Sequence, residues 1–147
     1  MLDILTGLDK LILFSLPLAN GVTVFPGAMV TVDANGKVIL ATTNNTPWYI
    51  CISDSEEPMV KAAGTVALIA GDARCLTDNF VEDADLEVGT ELAIAPGGKL
   101  EIAEKTVVVG GEEGTTVTVK NTVVGYVERV VAPGATGHLP LAIVRML

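Results

Sequence analysis

The sequence predicts an all-β protein, folded as a compact antiparallel β-barrel or sandwich with a repeated hairpin. Residues 27–41 read GAMVTVDANGKVILA and residues 89–103 read GTELAIAPGGKLEIA, and the two align without a gap at an offset of 62 residues (89 minus 27). Each is an apolar-alternating run, a turn with Gly, a Lys and a second alternating run, which is typical of a β-hairpin. From Gly21 onward, turn signals also recur at the short spacing typical of sandwiches and barrels.

The apolar residues of this hairpin indicate its register. A three-residue loop over residues 34–36, with Gly36 in the left-handed conformation, places them on one face, whereas a two-residue loop at Asn35-Gly36 does not. In the second copy, Pro96 suits the second turn position and Gly98 suits the position with positive φ. The predicted cross-strand pairs are Val30 with Leu40, Val32 with Val38, Asp33 with Lys37, Leu92 with Ile102, and Ile94 with Leu100.

Alternating runs between turn signals give the remaining strands. The predicted strands are 21–25, 28–33, 37–42, 48–53, 64–70, 73–77, 90–95, 99–104, 105–109, 115–120, 123–130 and 139–146. Residues 70–72 (AGD) predict a hairpin turn, and residues 110–114 (GGEEG) predict a flexible hairpin tip. Acidic loops are expected at 54–58 and 82–87, and helix is expected to be scarce. Residues 19–147 are predicted to form one β-domain.

Residues 1–18 differ from the rest because their apolar residues follow no single period. We interpret them as an extended N-terminal arm that packs on a neighbouring subunit or partner, since a lone domain would bury them poorly. Two alternatives remain: the first part forms a short amphipathic helix, or residues 10–18 form the first strand of the protomer's own sheet. If the segment is an arm, deleting residues 1–14 leaves a folded domain with weaker partner binding. The candidate partner-binding residues are Leu2, Ile4, Leu5, Leu8, Leu11, Ile12 and Phe14.

The amino-acid composition and the net charge limit the classes to which the protein can belong. The chain has 147 residues, half of them hydrophobic, and a mean hydropathy of +0.53, which suits one domain with a sizeable core. Its net charge of −9 would repel a phosphate backbone, so nucleic acid is not an expected partner. The most apolar stretch, residues 11–19, is shorter than the ~20 residues of a spanning helix and contains Pro17, so no membrane partner is expected. Asp3 and Asp9 replace the basic residues of a secretory leader, so secretion is not expected.

No residue pattern predicts an active site. His138, the only histidine, lies in the Gly-rich run PGATGHLP, and Ser15, Ser53 and Ser55 sit on no nucleophile motif. One histidine and two distant cysteines do not give the spacing of zinc ligands, and no phosphate-binding motif precedes a helix. We therefore expect a protein that is not an enzyme, with no catalytic, cofactor-binding or metal-binding residues and no cofactor.

The cysteines and the adjacent aromatic residues are interpreted as core residues. Cys51 and Cys75 each lie in a predicted strand, which favours two free thiols packed in the interior, with a disulfide as the alternative. Trp48 and Tyr49 are neighbours in one predicted strand, so one of them should face the core and the other the solvent.

Several motifs follow one another in an order that is found in a known family. They are the hairpin at 26–38, the strand at 48–52, the segment at 65–71, the second hairpin at 88–100, the strand at 123–127 and the final strand at 139–144. This order, over about residues 20–147, resembles the small β-rich decoration (cement) proteins of tailed-bacteriophage heads. The resemblance depends on hairpin pattern and order, and residues 1–18 and the Cys and Trp content depart from it.

The resemblance implies a structural virion protein, made in the host cytoplasm, that binds the outer surface of a phage capsid and stabilises capsomer junctions. Its implied partners are the major capsid protein and further copies of itself in a homotrimer. One alternative is a tail, baseplate or host-surface carbohydrate-binding β-domain, which would need exposed aromatic side chains, whereas aromatics are only 4% of the chain. Another is a small hydrolase on a β-barrel, which would need His138 beside a nucleophile.

Overall fold

The computed structural model describes residues 1–5, 11–70, 72–111 and 114–147, and nearly all of its regular structure is β-strand. The strands are β1 (Leu2–Ile4), β2 (Ile12–Pro17), β3 (Met29–Val32), β4 (Val38–Leu40), β5 (Tyr49–Cys51), β6 (Thr65–Ala70), β7 (Ala73–Thr77), β8 (Glu91–Ala95), β9 (Lys99–Ile102), β10 (Glu104–Val109), β11 (Thr115–Lys120), β12 (Gly125–Ala132) and β13 (Leu141–Met146). A short helix, α1 (Pro58–Ala63), lies between β5 and β6. The all-β prediction is confirmed.

These strands form two open antiparallel sheets and one separate hairpin. The large sheet has the order β1-β7-β13-β12-β8-β9, and the small sheet has the order β2-β6-β5-β3-β4. Among the described residues, β10 pairs with β11 alone. Single bridges join Leu18 to Val38 in β4 and Phe80 to Leu100 in β9, but no described strand pair closes either sheet. Of the two predicted architectures the sandwich is therefore the one observed.

The repeated hairpin is part of a larger repeat. Strands β2, β3, β4, β5 and β6 take the same places in the small sheet as β7, β8, β9, β12 and β13 take in the large sheet. Equivalent strands start 62 residues apart at β3 and β8 (91 minus 29) and 76 residues apart at β6 and β13 (141 minus 65). The 14 additional residues (76 minus 62) fall between β9 and β12, where the β10–β11 hairpin is inserted. The molecule is therefore two five-strand units, of which the second carries an inserted hairpin.

The strand register agrees with the sequence prediction in both hairpins. Val30 lies opposite Leu40 and Val32 opposite Val38 in the first copy, and the second copy has Leu92 opposite Ile102 and Ile94 opposite Leu100. The Asp33 N–H donates to the Lys37 carbonyl at 2.8 Å, which closes the three-residue loop. Gly36 and Gly98 have φ values of 74° and 73°, the left-handed conformation that the loop requires.

Two hydrophobic cores stabilise the sandwich. The central core lies between the sheets and includes Met29, Ile50 and Ile69 from the small sheet and Leu92, Ile94 and Val144 from the large sheet. The second core, which includes Val24, Val30, Val38, Val66 and Leu68, covers the other face of the small sheet beneath α1 and the segment before β3. Successive residues of a strand point to opposite faces, so Met29 enters the central core and its neighbour Val30 enters the second. Burial of both faces of the small sheet explains the high content of small aliphatic residues.

A buried junction ties the two five-strand units together. The turn between β8 and β9 reaches the small sheet, where Met29 N–H donates to the Gly98 carbonyl (2.8 Å) and Gly98 N–H donates to the Ala41 carbonyl (3.1 Å). Asn79, only 4% exposed, donates through Nδ2 to the carbonyls of Gly27 (2.7 Å) and Gly98 (2.8 Å). Asn79 thus gives the buried Gly27 carbonyl a donor and gives the Gly98 carbonyl a second one beside Met29 N–H. No sequence motif predicts this role for Asn79.

The structure corrects the expectation of an N-terminal arm over residues 1–18. Strand β1 pairs with β7, and β2 pairs with β6 over all six of its residues. The alternative that residues 10–18 contribute a strand to the protomer's own sheet is therefore the one observed at residues 12–17. Phe14 and Leu16 alternate into the second core, so one side of this strand is buried on the protomer itself. The connecting residues 6–10 lie outside the described residues.

Three further predictions differ from the structure. Residues 22–25 are irregular chain and not a strand. Strands β6 and β7 belong to different sheets, so residues 70–72 connect the sheets and do not form a hairpin turn, although Gly71 itself is outside the described residues. Helix α1 begins at Pro58, inside the expected acidic loop, and ends at Ala63, which is followed by Gly64 with a φ of 70°. Pro at the first helical position and Gly just past the last one are the signals that could have predicted it.

The two cysteines and the two adjacent aromatic residues are distributed over both cores. Cys51 lies in the second core and Cys75 in the central core, and both are buried and free, as their interpretation as small core residues predicts. Trp48 packs against the central core and Tyr49 against the second core. Both aromatic side chains are half-buried, so the expectation that one of them faces solvent is wrong.

We expect the stability of the protein to fall between about pH 9 and pH 12. Burial raises the pKa of Cys51 to about 11 and that of Cys75 to about 12, from 9.0 in the unfolded chain. In this interval the unfolded chain loses thiol protons that the folded protein keeps, so unfolding becomes more favourable as the pH rises. Urea unfolding at several pH values measures the slope. A Cys51→Ala/Cys75→Ala variant is the control, and an equal slope in that variant would contradict the assignment to the thiols.

Candidate interaction surfaces

The inserted hairpin, residues 104–120, stands apart from both cores. Every strand residue of β10 and β11 is exposed, and the two strands pair along their full length from Glu104 opposite Lys120 to Val109 opposite Thr115. Gly110, Gly111 and Gly114 lie between the two strands, where the sequence predicts a hairpin tip, and Glu112 and Glu113 lie outside the described residues. Asn121 N–H donates to the Ala103 carbonyl at 2.9 Å, so the hairpin is closed at its base.

The hairpin has one apolar face and one polar face. Directly opposite residues of an antiparallel pair share a face, so Val107 lies with Val117, and Val109 and Val119 lie on the same side. These four residues form what we call the valine face, and each is between 37% and 51% exposed. The other face carries Thr106 opposite Thr118 and Val108 opposite Thr116. An apolar strip with no cover from the described protomer is a surface suited to binding.

Charged groups fix the base of the hairpin. The Lys105 ammonium lies 2.7 Å from Glu101 Oε2, and the Lys120 ammonium lies 2.9 Å from Glu91 Oε1. The hydrogen bond to Glu91 raises the pKa of Lys120 above its ordinary value. A cavity of about 310 Å³ opens beside Lys105 and is lined by Val81, Ala84, Glu101, Ile102 and Glu104. Among the described residues, Glu101 Oε1 is buried there without a hydrogen-bond partner.

A second exposed apolar surface lies along β2. Ile12 is 64% exposed and Leu13 is 47% exposed, at the strand end farthest from Pro17. The pairing of β2 with β6 runs without a bulge from Ile12 opposite Ala70 to Pro17 opposite Thr65. No described strand pairs with the outer edge of β2 along residues 12–16, so the outward backbone groups there are free to accept a further strand, whereas Leu18, just past β2, bridges to Val38 of β4.

The structure divides the candidate partner-binding residues between the two sheets. Leu2 and Ile4 are partly buried and pack against the central core, where Leu11 is also buried. Phe14 packs in the second core, its ring at 5.0 Å and 81° from that of Tyr49. Leu5 and Ile12 are exposed, and Leu8 lies outside the described residues. Of the six that the structure describes, Leu5 and Ile12 keep the exposure that partner binding requires.

The residues considered for catalysis do not come together in the described structure. His138 is exposed on the loop before β13, and its carbonyl accepts a hydrogen bond from Asp83 N–H at 3.3 Å. The Ser55 hydroxyl is bonded to both backbone groups of Val24, and the Ser53 hydroxyl accepts the Ala67 N–H. Within the described residues no three His, Cys, Asp or Glu side chains are grouped as metal ligands. None of the described helical residues forms a helix long and apolar enough to cross a membrane.

The fold and its exposed strands define a class: a sandwich of two sheets, built on a repeated five-strand unit, that presents apolar strand surfaces. No family model, curated protein or solved structure matches the chain.

Proposed function

We propose that the protein is a capsid decoration (cement) protein, a structural virion component that binds the outer surface of a tailed-phage head. The observation that carries the proposal is the inserted hairpin, whose valine face has no cover from the described residues of the protomer. A rigid body with an exposed apolar strand pair suits adhesion to other subunits. The order of hairpins and strands that resembles the decoration proteins supports the same function.

The proposal names two partners, the major capsid protein and further copies of this chain in a homotrimer. A capsid shell binds many copies of a decoration protein. Each contact can be weak, because contacts repeated by symmetry increase the avidity, and binding to the assembled shell stabilises it by mass action. The buried junction at Asn79 and Gly98 holds the two sheets in a fixed relation, as a clamp between capsomers requires. The net charge of −9 keeps such a hydrophobic chain soluble before assembly.

Co-sedimentation with empty heads tests this function. We expect the purified protein to pellet with expanded, DNA-free heads of the phage or prophage whose genome carries the chain. Binding should saturate at a fixed number of copies per capsomer and raise the temperature at which the heads break apart, because a ligand of the assembled state stabilises it. The protein centrifuged without heads is the control. Protein that stays in the supernatant at every ratio would contradict the proposal.

A further inference from the structure

We propose that the inserted hairpin of one copy docks on the open edge of β2 in a second copy and extends the small sheet across the subunit boundary. The inference rests on the self-association part of the proposed function and needs no capsid. It names the two surfaces that meet and the kind of contact, which is strand addition through the backbone.

The internal repeat first points to a vacant strand position. In the large sheet, β1 pairs with the outer edge of β7 through residues 2–4. The equivalent edge in the small sheet belongs to β2, and no described strand covers it. The same fold therefore shows one such edge filled by a strand and the other open. A strand from elsewhere can occupy the open edge in the way that β1 occupies its equivalent.

The hairpin has the properties expected of the missing strand. It is the one insertion that separates the second five-strand unit from the first, and none of its strand residues is buried. A two-stranded hairpin without a covering layer is only marginally stable in water. Contact of the valine face with another apolar surface would remove this weakness, since burial of aliphatic side chains stabilises both partners.

The edge of β2 lacks the features that usually prevent an edge strand from pairing with a strand of another molecule. Natural edges are usually protected by a charged side chain, a bulge or a central proline. Residues 12–17 read ILFSLP and contain no charge, their register is continuous, and Pro17 stands only at the end. Ile12 and Leu13 add exposed aliphatic surface beside the free backbone groups. This edge is therefore open to strand addition.

The hairpin of the same protomer is poorly placed to fill this edge. It leaves the large sheet next to β9, and the β8–β9 turn meets the small sheet at Met29 and Ala41, beside β3 and β4. The chain that continues β2 meets β4 at its other end, where Leu18 bridges to Val38 and Ala19 N–H donates to the Val38 carbonyl at 3.0 Å. A second copy can bring its hairpin to β2 without that constraint. The lengths agree, because β2, β10 and β11 each have six residues.

The size of the contact favours a closed ring over an isolated pair. A standard interface buries about 800 Å² per partner over about 20–30 residues, or roughly 30–40 Å² per residue. The 18 strand residues of one hairpin and one β2 (12 plus 6) would then bury roughly 600 Å² in total, below the ~1,200 Å² of a stable pair. Contacts between two different patches close into a ring when the rotation between copies allows it, and each copy is then held twice. A homotrimer satisfies this condition.

Cross-linking between two single-cysteine variants tests the contact. Ser15→Cys marks β2 and Thr118→Cys marks the hairpin, and both sites are exposed. The native thiols are buried and do not compete for a short bis-maleimide reagent. We expect an equimolar mixture of the two variants to give a cross-linked pair that contains one copy of each. A mixture in which Asn35→Cys, on the exposed β3–β4 turn, replaces Thr118→Cys is the matched control and should give none.

The outcomes separate this inference from the proposed function. Cross-linked pairs in a sample of the Thr118→Cys variant alone would show that two hairpins dock on each other. Cross-linked pairs in a sample of the Ser15→Cys variant alone would show that two β2 edges pair. Either of these as the dominant product overturns the inference. A protein that forms trimers by light scattering but gives no mixed cross-link also overturns it and leaves self-association standing. A protein that remains monomeric at millimolar concentration and still sediments with heads overturns self-association but not capsid binding.

The two faces of the hairpin provide a second test with a matched control. We expect Val117→Lys, on the valine face, to weaken self-association by at least about tenfold, whereas Val108→Lys, on the polar face, changes it by less than about threefold. Both residues are exposed, so neither change removes a buried side chain. Sedimentation equilibrium measures the association, and circular dichroism checks that both variants remain folded. Equal effects of the two substitutions would contradict docking through the valine face.

Discussion

Replacing Gly98 with Ala is expected to lower the free energy of unfolding by roughly 2–5 kcal/mol, the sum of left-handed strain and overpacking. At this position φ is +73°, and an added Cβ would lie 2.5 Å from the Met29 carbonyl oxygen and 3.0 Å from Leu40 Cδ2. Both neighbours belong to the small sheet, so relief of the contact would move the β8–β9 turn away from it. The hydrogen bonds from Met29 and to Ala41 would then lengthen together.

Gly97 provides the matched control for this substitution. Its φ of +83° is as unfavourable for Ala as that of Gly98, but an added Cβ would meet nothing within 4 Å. Gly97→Ala should therefore cost only the backbone strain, about 1–2 kcal/mol. Urea unfolding of the two variants measures the difference. If both lose the same stability, the close packing of the junction contributes nothing and our account of Gly98 is wrong.

The same junction shows which part of the fold could be predicted from the sequence. The two hairpins, their three-residue loops and their registers follow from local alternation of apolar residues and from the position of Gly, and all of these predictions are confirmed. Local patterns do not tell which turn will be buried. Gly36 and Gly98 stand at equivalent positions, yet Gly36 has no neighbour within 4 Å and Gly98 is packed against Met29. That difference depends on how the two sheets meet.

The N-terminal strands show a second limit of the sequence. Strands β1 and β2 belong to different sheets although only residues 5–11 separate them. The local spacing of apolar residues does not predict that the chain passes from one sheet to the other here. Their burial is also uneven, with Phe14 in a core and its near neighbour Ile12 exposed, which blurs the alternation expected of a strand. The inserted hairpin was predicted as two strands from its sequence. Its separation from both sheets could not be predicted, because β-branched residues are common in buried and exposed strands alike.

Deleting residues 1–14 is now expected to abolish cooperative folding, in contrast to the folded domain that an arm would leave behind. The deletion removes β1, Leu11 and the first half of β2, including Phe14. These four apolar side chains, Leu2, Ile4, Leu11 and Phe14, pack against the two cores, and their loss should cost roughly 4–8 kcal/mol at 1–2 kcal/mol each. This is comparable to the 5–15 kcal/mol of an ordinary domain, before the loss of sheet hydrogen bonds is counted.

Deletion of residues 1–5 separates the contribution of β1 from that of β2. It removes Leu2 and Ile4 but leaves β2 intact, so we expect a folded protein that is less stable by roughly 2–4 kcal/mol. Thermal unfolding by circular dichroism distinguishes the three forms: a sharp transition for the full chain, a lower one for the shorter deletion, and none for the longer. A sharp transition at an unchanged temperature in the longer deletion would show that the segment is a dispensable arm after all. Because β2 is the proposed docking edge, self-association should survive the shorter deletion, since the acceptor strand persists without β1.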